Sequence, residues 1–432
     1  MSQAGPDPAS SALSVSSASS SWLKKLGPGL ITGAADDDPS GIATYSQAGA
    51  QFGFGLLWTM LLTFPLMVGI QVISAKIGRV TGHGLAGNIR QHFPRWLLYL
   101  IVGLLVVANT INIAADIAAM GDAMKLLAGG SSHLYVVGFG VLSLLLQVFI
   151  PYSRYVRILK WLTLALLAYV GIVFAVPIPW GEVARATVWP TLSWNPDYLT
   201  TVVAVFGTTI SPYLFFWQAS QEVEELRSHP EQRPLRDAPE QAKANFNRIK
   251  VDTWIGMGFS NVVAFFIILT TAVTLHEHGF TMIQTSAEAA AALRPIAGNF
   301  AFWLFAAGII GTGLLAIPVL AGSAAYAAAG ALGWVDGLEL KFKFAKGFYS
   351  IIVVSTLIGV ALCFMPIDPI KALYWSAVVN GVISVPIMVV MMLIAARPAI
   401  MGAFIISRRL TVLGWLCTGV MALAVGTMLV TL

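Results

Sequence analysis

Residues 27–58 read GPGLITGAADDDPSGIATYSQAGAQFGFGLLW, and this stretch decides the fold. It is apolar and long enough to cross a bilayer, yet three consecutive aspartates end at Asp38 in its middle, followed by Pro39 and Gly41. Proline lacks an N–H donor and disfavours helix at the residue before it, and glycine lets the backbone turn freely. We therefore predict a first membrane span whose helix unwinds at residues 36–41.

An unwound segment at bilayer depth is tolerated only where it is buried in protein or lines a watery cavity. A carboxylate at that depth is costly unless it is paired or binds a cation. Both rules point to an ion pathway at Asp38. For Asp36 and Asp37 a second interpretation stays open, in which they face a water-filled vestibule and bind nothing.

The rest of the chain has the composition of a membrane protein. Its 432 residues are 57% hydrophobic and 10% charged, whereas a soluble domain carries about 25% charged residues. Many charge-free runs have the roughly 18 to 25 residues that cross a bilayer. We predict an all-α polytopic membrane protein with about eleven transmembrane helices, at residues 27–52, 54–77, 96–120, 133–151, 156–177, 198–226, 249–275, 300–331, 348–366, 369–396 and 411–431.

The distribution of Lys and Arg predicts the orientation. About 21 of these residues fall on one side of the alternating spans and about four on the other, which puts the N-terminus in the cytoplasm and the C-terminus outside the inner (plasma) membrane. Residues 1–21, rich in Ser and Ala, are predicted to be a disordered cytoplasmic tail, and residues 22–431 a single transporter domain. The charged connector at 227–250 is expected to be solvated, without a fold of its own.

The sixth span contains a second interruption. Residues 207–220 read GTTISPYLFFWQAS, with Pro212 among small hydroxyl residues. Alone, such a proline is often only a kink, but paired interruptions in corresponding positions of two halves indicate a transporter's binding site. We predict repeats at 27–177 and 198–396 and an extra helix at 411–431. The acidic residues after the break, among them Glu222, predict either a helix end entering water or an acidic inner vestibule.

Three stretches carry a resemblance to a known family, the Nramp divalent-metal transporters. Residues 27–58 resemble that family's opening, including its Asp-Pro-Gly-Asn motif and the trailing Gly-Ala-Gln-Phe-Gly; residues 207–220 are similar to the segment with its Met-Pro-His-Asn motif; and residues 396–415 (ARPAIMGAFIISRRLTVLGW) resemble the link between its last two helices. The resemblance implies a leucine-transporter-like 5+5 inverted repeat with helices 1 and 6 broken, and a metal ion as cargo, with no cofactor.

The family's motif residues are only partly present here. The motif aspartate falls on Asp38, but the asparagine falls on Gly41, the methionine on Ser211 and the histidine on Tyr213. The resemblance also implies a backbone carbonyl ligand near Thr208 and a polar residue of the tenth span near the metal. The candidate metal-site residues are therefore Asp36, Asp37, Asp38, Gly41, Thr208, Ser211, Tyr213 and Asn380.

The departures change the chemistry that the site favours. Thioether sulfur favours softer transition metals, whereas oxygen ligands suit Mg²⁺, Ca²⁺ and Mn²⁺. Replacing the thioether by Ser211 leaves carboxylate, hydroxyl and carbonyl oxygens, a set that suits Mg²⁺ with part of its water shell and also accepts Mn²⁺. The sequence resembles most closely the divergent branch of the family that includes magnesium transporters.

Proton coupling is not expected from these residues. A tyrosine at position 213 does not carry protons near neutral pH as histidine does, and the acidic pair expected in the third span falls on Ala115 and Ala118. Asp116 is one residue off, on another helix face, with capping or solvation near the outer helix end as one interpretation. A dication that moves inward across a membrane potential of 100 mV gains about 4.6 kcal/mol of free energy, even without coupled protons.

Three alternatives stay open at this point. The first is a proton-coupled Mn²⁺/Fe²⁺ transporter of the same family, and the second is a same-fold transporter of a small organic substrate, where Asp38 disfavours an anionic ligand. The third is an intramembrane enzyme. The sequence contains no His-Glu-x-x-His, Gly-x-Ser-x-Gly or Walker motif, which argues against it. We expect a non-enzymatic monomer whose partners are the metal ion and the bilayer, with no nucleic acid.

Overall fold

The computed structural model describes residues 32–33, 35–150 and 165–431. The predicted tail at 1–21 and most of the predicted fifth span lie outside these residues. The α-helices of the first half are α1 Pro39–Phe52, α2 Leu57–Thr81, α3 Leu85–His92, α4 Arg95–Ala128, α5 Ser132–Phe149, α6 Leu167–Gly171, α7 Trp180–Val188 and α8 Pro196–Thr209.

The second half continues without strands in the described part of the chain. Its α-helices are α9 Pro212–Ser228, α10 Ala242–Thr274, α11 Ser286–Ala291, α12 Arg294–Ala297, α13 Ala301–Leu332, α14 Lys346–Leu362, α15 Pro369–Ala395, α16 Pro398–Met401 and α17 Arg408–Thr431. Short 3₁₀ turns join several of them, at Gly53–Leu56, Ile172–Phe174, Pro239–Gln241, His276–His278, Gly298–Phe300 and Gly402–Phe404.

The described residues contain 8 helical stretches that are long and apolar enough to cross a membrane. One of them, Pro39–Thr81, holds the predicted first and second spans together, because the turn at Gly53–Leu56 joins α1 to α2 without a gap. The predicted ninth span corresponds to the shorter apolar helix α14. The predicted fifth span is described only from residue 165 onward, where α6 lies.

Helices approach closely where a glycine faces a neighbour. A Cβ atom on Gly49 of α1 would lie 2.2 Å from the Ile268 carbonyl oxygen of α10. A Cβ atom on Gly207 of α8 would lie 2.0 Å from the Ala377 carbonyl oxygen of α15. Small residues permit such contacts between membrane helices, where packing rather than the hydrophobic effect drives association. Both broken spans are therefore packed tightly against helices of the surrounding bundle.

Large apolar side chains cover the outside of the bundle. Leu134 of α5 is 71% exposed, Leu423 of α17 is 69% exposed and Val430 is 87% exposed. Soluble monomers rarely expose so many large apolar side chains. Such a surface suits lipid, as the composition predicted.

The connector between α9 and α10 differs from its prediction. Helix α9 extends to Ser228 and α10 begins at Ala242, so the loop is shorter than residues 227–250. The backbone N–H of Leu235 donates to the Arg79 carbonyl at 3.2 Å, and that of Arg236 to the Val80 carbonyl at 3.2 Å. Leu235 is fully buried. The loop is docked on the end of α2 because one apolar side chain and two backbone bonds fix it there.

Candidate functional site at two helix breaks

The first break lies at residues 37–38, between helical residues 35–36 and α1. The carboxylate of Asp38 caps α1, where Oδ1 accepts from the Gly41 backbone N–H at 2.8 Å and from the Ser40 hydroxyl at 2.6 Å. Proline is favoured at the first position of a helix, so Pro39 starts α1. The predicted unwinding at 36–41 is thus too long, since Gly41 already belongs to the first turn of α1.

The other two aspartates of the first break turn toward α10. The Ser260 hydroxyl lies 2.6 Å from Asp36 Oδ2 and 3.0 Å from Asp37 Oδ1, and it is the polar group that the two carboxylates share. Asp36 is 0% exposed and Asp37 is 2% exposed. They do not face an open vestibule in this conformation. Their side chains instead fix the first break to α10.

The second break lies at Ile210 and Ser211, between α8 and α9. The chain is interrupted here and not merely kinked, because α8 ends at Thr209 and a new helix starts at Pro212. The Ser211 hydroxyl donates back to the carbonyls of Gly207 at 2.9 Å and Thr208 at 2.7 Å. The Thr208 carbonyl predicted as a metal ligand therefore already accepts one bond, and a carbonyl oxygen has a second lone pair for another partner.

The two breaks meet at two points. The Tyr213 hydroxyl lies 3.2 Å from Asp38 Oδ2 and 3.2 Å from the Ala35 carbonyl oxygen, to either of which it donates. On the other side of the junction, a Cβ atom on Gly41 would lie 3.1 Å from the Thr208 hydroxyl oxygen. The structure thus brings together Asp38, Gly41, Thr208 and Tyr213, four of the residues named as candidates for a metal site.

Asn380 of α15 faces the same interior, but it is paired with another helix. Its Oδ1 accepts from Asn112 Nδ2 of α4 at 3.0 Å, and the residue is 0% exposed. Its Nδ2 and the Oδ1 of Asn112 have no hydrogen-bond partner. Asn380 lies next to Gly381, which packs against Gly207 of α8. The tenth span therefore contributes a polar group beside the second break.

The site is closed on every side. Asp38, Thr208, Ser211 and Tyr213 are each at most 1% exposed. Within residues 32–33, 35–150 and 165–431, no three His, Cys, Asp or Glu side chains form a cage for a metal ion. The donors that converge are one carboxylate, hydroxyls and backbone carbonyls. Such a set suits a passing cation that brings water with it better than a tightly held resident metal.

Neutral hydrogen bonds close one end of the site. The Gln47 side chain of α1 accepts from the Ile283 N–H at 2.9 Å and so holds the loop after α10. The hydroxyls of Thr201 and Tyr374 lie 2.8 Å apart and join α8 to α15. A cavity of about 280 Å³ is lined by Gln47 and Tyr374 and lies at this end. We call these contacts the Gln47 closure.

A buried charged cluster closes the other end. The Glu222 carboxylate of α9 lies 2.5 Å from Arg248 Nη2 of α10 and 3.9 Å from Arg79 Nη1 of α2. Arg79 is 0% exposed and also bonds to Gln232 of the connector and to Asn245. We call Arg79, Glu222, Arg248, Gln232 and Asn245 the Arg79 cluster. The sequence predicted that Glu222 enters water or lines an acidic vestibule, and both predictions are wrong in this structure, because Glu222 is buried and paired with two arginines.

Comparison with known proteins agrees with this geometry. The family model described as Natural resistance-associated macrophage protein-like (Nramp) matches residues 29–431. The divalent metal cation transporter MntH of Klebsiella pneumoniae (strain 342) is 26% identical over 416 residues, which cover 94% of this chain and 94% of that protein. A solved manganese transporter of Eremococcus coleocola superposes with a TM-score of 0.72 at 19% identity, covering 93% of this chain and 86% of the other.

A more distant solved structure has the same architecture. MhsT in complex with L-phenylalanine superposes with a TM-score of 0.55 at 13% identity, over 93% of this chain and 97% of the other. At these identities the likeness concerns the fold alone. It confirms the predicted fold class, an all-α transporter of the leucine-transporter-like type with its first and sixth spans broken.

Proposed function

This chain belongs to the Nramp family, and from that premise we propose that it is a transporter of divalent metal cations whose cargo passes between the two helix breaks. The observation that carries the proposal is the position of Asp38. Its carboxylate lies at the junction of the breaks, fully buried and 3.2 Å from the Tyr213 hydroxyl. A buried carboxylate without a cationic partner is costly, and a passing dication would offset that cost.

We propose Mg²⁺ or Mn²⁺ as the cargo, since the groups at the junction are all oxygens. Ser211 stands where the family has its thioether, and its hydroxyl is turned back onto α8. This arrangement leaves the junction without a soft ligand, which favours ions that prefer oxygen. Mg²⁺ gives up its water reluctantly and binds through few direct ligands, in keeping with a junction that offers one carboxylate.

We further propose inward movement driven by the membrane potential without coupled protons. Tyr213 is the side chain that touches Asp38 from the sixth span, and a tyrosine hydroxyl does not exchange protons near neutral pH as an imidazole does. The excess of Lys and Arg supports a cytoplasmic N-terminus in the plasma membrane and an outward C-terminus. In that orientation the Arg79 cluster closes the cytoplasmic end. We also propose that one chain suffices for transport, with repeats at 27–177 and 198–396.

The competing function is proton-coupled transport of Mn²⁺ or Fe²⁺. The relatives support Mn²⁺ as a cargo, since one is named a divalent metal cation transporter and another a manganese transporter, and this support is shared with the uncoupled function proposed above. Transport of an organic molecule has less support, because the likeness to MhsT with bound L-phenylalanine concerns fold alone. The carboxylate at the first break also repels an anionic ligand at the place where the cargo would bind.

The test is uptake by the purified protein in liposomes at a fixed inside-negative potential. Mg²⁺ and Mn²⁺ entry are followed with internal metal-sensitive dyes, and internal pH with a separate dye. We expect entry of at least one of these ions without internal acidification. Mn²⁺ entry with acidification and without Mg²⁺ entry would instead establish the proton-coupled alternative. No entry of either ion above protein-free liposomes would overturn the proposed function.

A further inference from the structure

A carboxylate outside the two breaks has no partner. Asp116 lies in the middle of α4, is 0% exposed, and neither of its carboxylate oxygens makes a hydrogen bond. No basic side chain in the described part of the chain forms an ion pair with it. Buried polar groups are almost always hydrogen-bonded, and a buried charge is expensive without a partner. Neither capping nor solvation accounts for Asp116, because helix continues on both sides of it and water does not reach it.

The helix face that carries Asp116 looks into the centre of the bundle. Residues three and four apart share a helix face, so Asn109, Asn112 and Asp116 form one polar stripe on α4. Asn109 Nδ2 donates to the Leu320 carbonyl of α13 at 2.8 Å. Asn112 Nδ2 donates to Asn380 Oδ1 of α15. The stripe therefore faces helices that surround the two breaks, not lipid.

The next turn of the same face runs beside the first break. Met120 follows Asp116 by four residues, and a Cβ atom on Gly313 of α13 would lie 2.5 Å from its Sδ. The same Cβ atom would lie 3.4 Å from Cγ of Pro39, the residue after Asp38. Asp116 lies one helical turn from this contact, and its carboxyl group interacts electrostatically with that of Asp38.

Unpartnered amide oxygens lie along this stripe, and an unpartnered amide donor faces it from α15. Oδ1 of Asn109 and Oδ1 of Asn112 have no hydrogen-bond partner, and neither has Nδ2 of Asn380. Two interacting carboxylates with free amide oxygens nearby offer negative potential and hydrogen-bond acceptors in one buried place. Water molecules on a divalent cation are strong donors, and Mg²⁺ in particular keeps several of them when it binds to protein.

We propose that Asp116, with Asn112 and Asn380, binds the water shell of the same dication that Asp38 holds. The two carboxylates then balance the two charges of the ion. The proposal rests on divalent-cation transport as the proposed function and adds a ligand-binding residue on the third span. Asp38 holds the ion at the breaks, and Asp116 holds it from α4 through its water shell. Its removal should therefore weaken cation binding more than it lowers the maximal rate.

The experiment compares initial uptake rates over a range of Mn²⁺ and Mg²⁺ concentrations for the wild type, Asp116→Asn and Asp122→Asn. Asp122 is the matched control, because it lies on the same helix but lines a partly open cavity of about 800 Å³. For Asp116→Asn we expect the half-saturating concentration to rise about tenfold or more, as loss of a charged hydrogen-bond acceptor predicts. Asp116→Glu should keep much of the affinity, and Asp122→Asn should match the wild type.

A gain of charge provides an independent test. In the otherwise wild-type chain, Asn112→Asp places a second carboxylate on the stripe, beside Asp116, and the half-saturating concentration should fall. The proposal is overturned if Asp116→Asn stays within about twofold of the wild type, or, where that variant does not fold, if Asn112→Asp leaves the affinity unchanged. Absence of uptake by the wild type would instead sink the proposed function, so the two failures are distinguishable.

Discussion

The first and the sixth spans are both broken, but they present different chemistry at the break. The first break carries three buried carboxylates, one of which caps α1 while the other two share the Ser260 hydroxyl. The sixth break carries neutral groups alone, and its Ser211 does not cap α9 with its side chain. A negative group at a helix N-terminus is stabilised by the helix dipole, so Asp38 is held where a charge can persist.

The difference assigns separate tasks to the two spans. In the proposed function, the first break supplies the charge that a dication needs. The N-terminus of α1 stabilises Asp38, and the Ser260 hydroxyl stabilises Asp36 and Asp37. The sixth break supplies carbonyls, a hydroxyl and the shape of the space between the helices. Changes at the first break should therefore affect whether any cation is carried, and changes at the sixth should affect which cation is preferred.

The largest effect is expected from Asp38→Asn, which keeps the size of the side chain and removes its charge. We expect uptake of Mn²⁺ and Mg²⁺ in liposomes to fall about 100-fold or more. Asp38 and the bound dication would form a buried charge pair, and removing one member of such a pair costs about 3 kcal/mol or more. Asp237→Asn, an exposed position on the connector, is the control for loss of one negative charge. If uptake by Asp38→Asn stays near the wild-type rate, the first break does not supply the charge that transport needs.

The next largest effect is expected from Ser211→Met, which returns a thioether to the sixth break. The ratio of Mn²⁺ to Mg²⁺ uptake should rise by about tenfold, because sulfur favours the softer ion. Ser211→Leu has comparable bulk without sulfur and should lower both rates together. The ratio is measured with both ions at one potential. An equal ratio in the two variants would show that size, not ligand softness, sets the preference at this break.

A smaller effect, on thermal stability, is expected from removing the serine hydroxyls that hydrogen-bond to each break. Ser260→Ala removes the hydroxyl shared by Asp36 and Asp37, and Ser323→Ala removes the donor to the Tyr213 carbonyl at 2.8 Å. Hydrogen bonds to charged groups contribute about 1.5 to 3 kcal/mol, and neutral ones about 1 kcal/mol. Ser260→Ala should therefore lower the midpoint of thermal unfolding in detergent more than Ser323→Ala does. Equal shifts would mean that the first break's carboxylates do not depend on Ser260.

Much of the site could be predicted because its determinants are local in the chain. A carboxylate followed by proline is both a helix cap and a helix start, so Asp38 and Pro39 define the first break without any tertiary contact. Pro212 defines the second break in the same way. Charge asymmetry and hydropathy predict about eleven spans, and the described residues show 8 long apolar stretches. The difference arises because α1 and α2 are joined, α14 is shorter than these stretches, and most of the fifth span lies outside the described residues.

The remainder depends on contacts between residues far apart in sequence. Ser260 reaches Asp36 across 224 positions, and nothing in the local sequence marks that serine among many in apolar helices. The local sequence predicts that Glu222 enters water or lines a vestibule, because its buried partner Arg79 lies on another helix. Asp116 lies one residue from the position where the family resemblance expects an acid, and only the packing of α4 shows that its carboxylate faces the centre.

The smallest effect is expected at the contact between the breaks, where Tyr213→Phe removes the hydroxyl 3.2 Å from Asp38 Oδ2 and leaves the ring. Loss of one donor to a carboxylate that keeps its Ser40 and Gly41 partners should raise the half-saturating Mn²⁺ concentration by about three- to tenfold. Because the lost hydroxyl does not exchange protons near neutral pH, the dependence of uptake on external pH between 6 and 8 should match that of the wild type, measured in the same liposomes. A change in that pH dependence would mean that the sixth break takes part in proton movement, and the division of tasks between the two breaks would then be wrong.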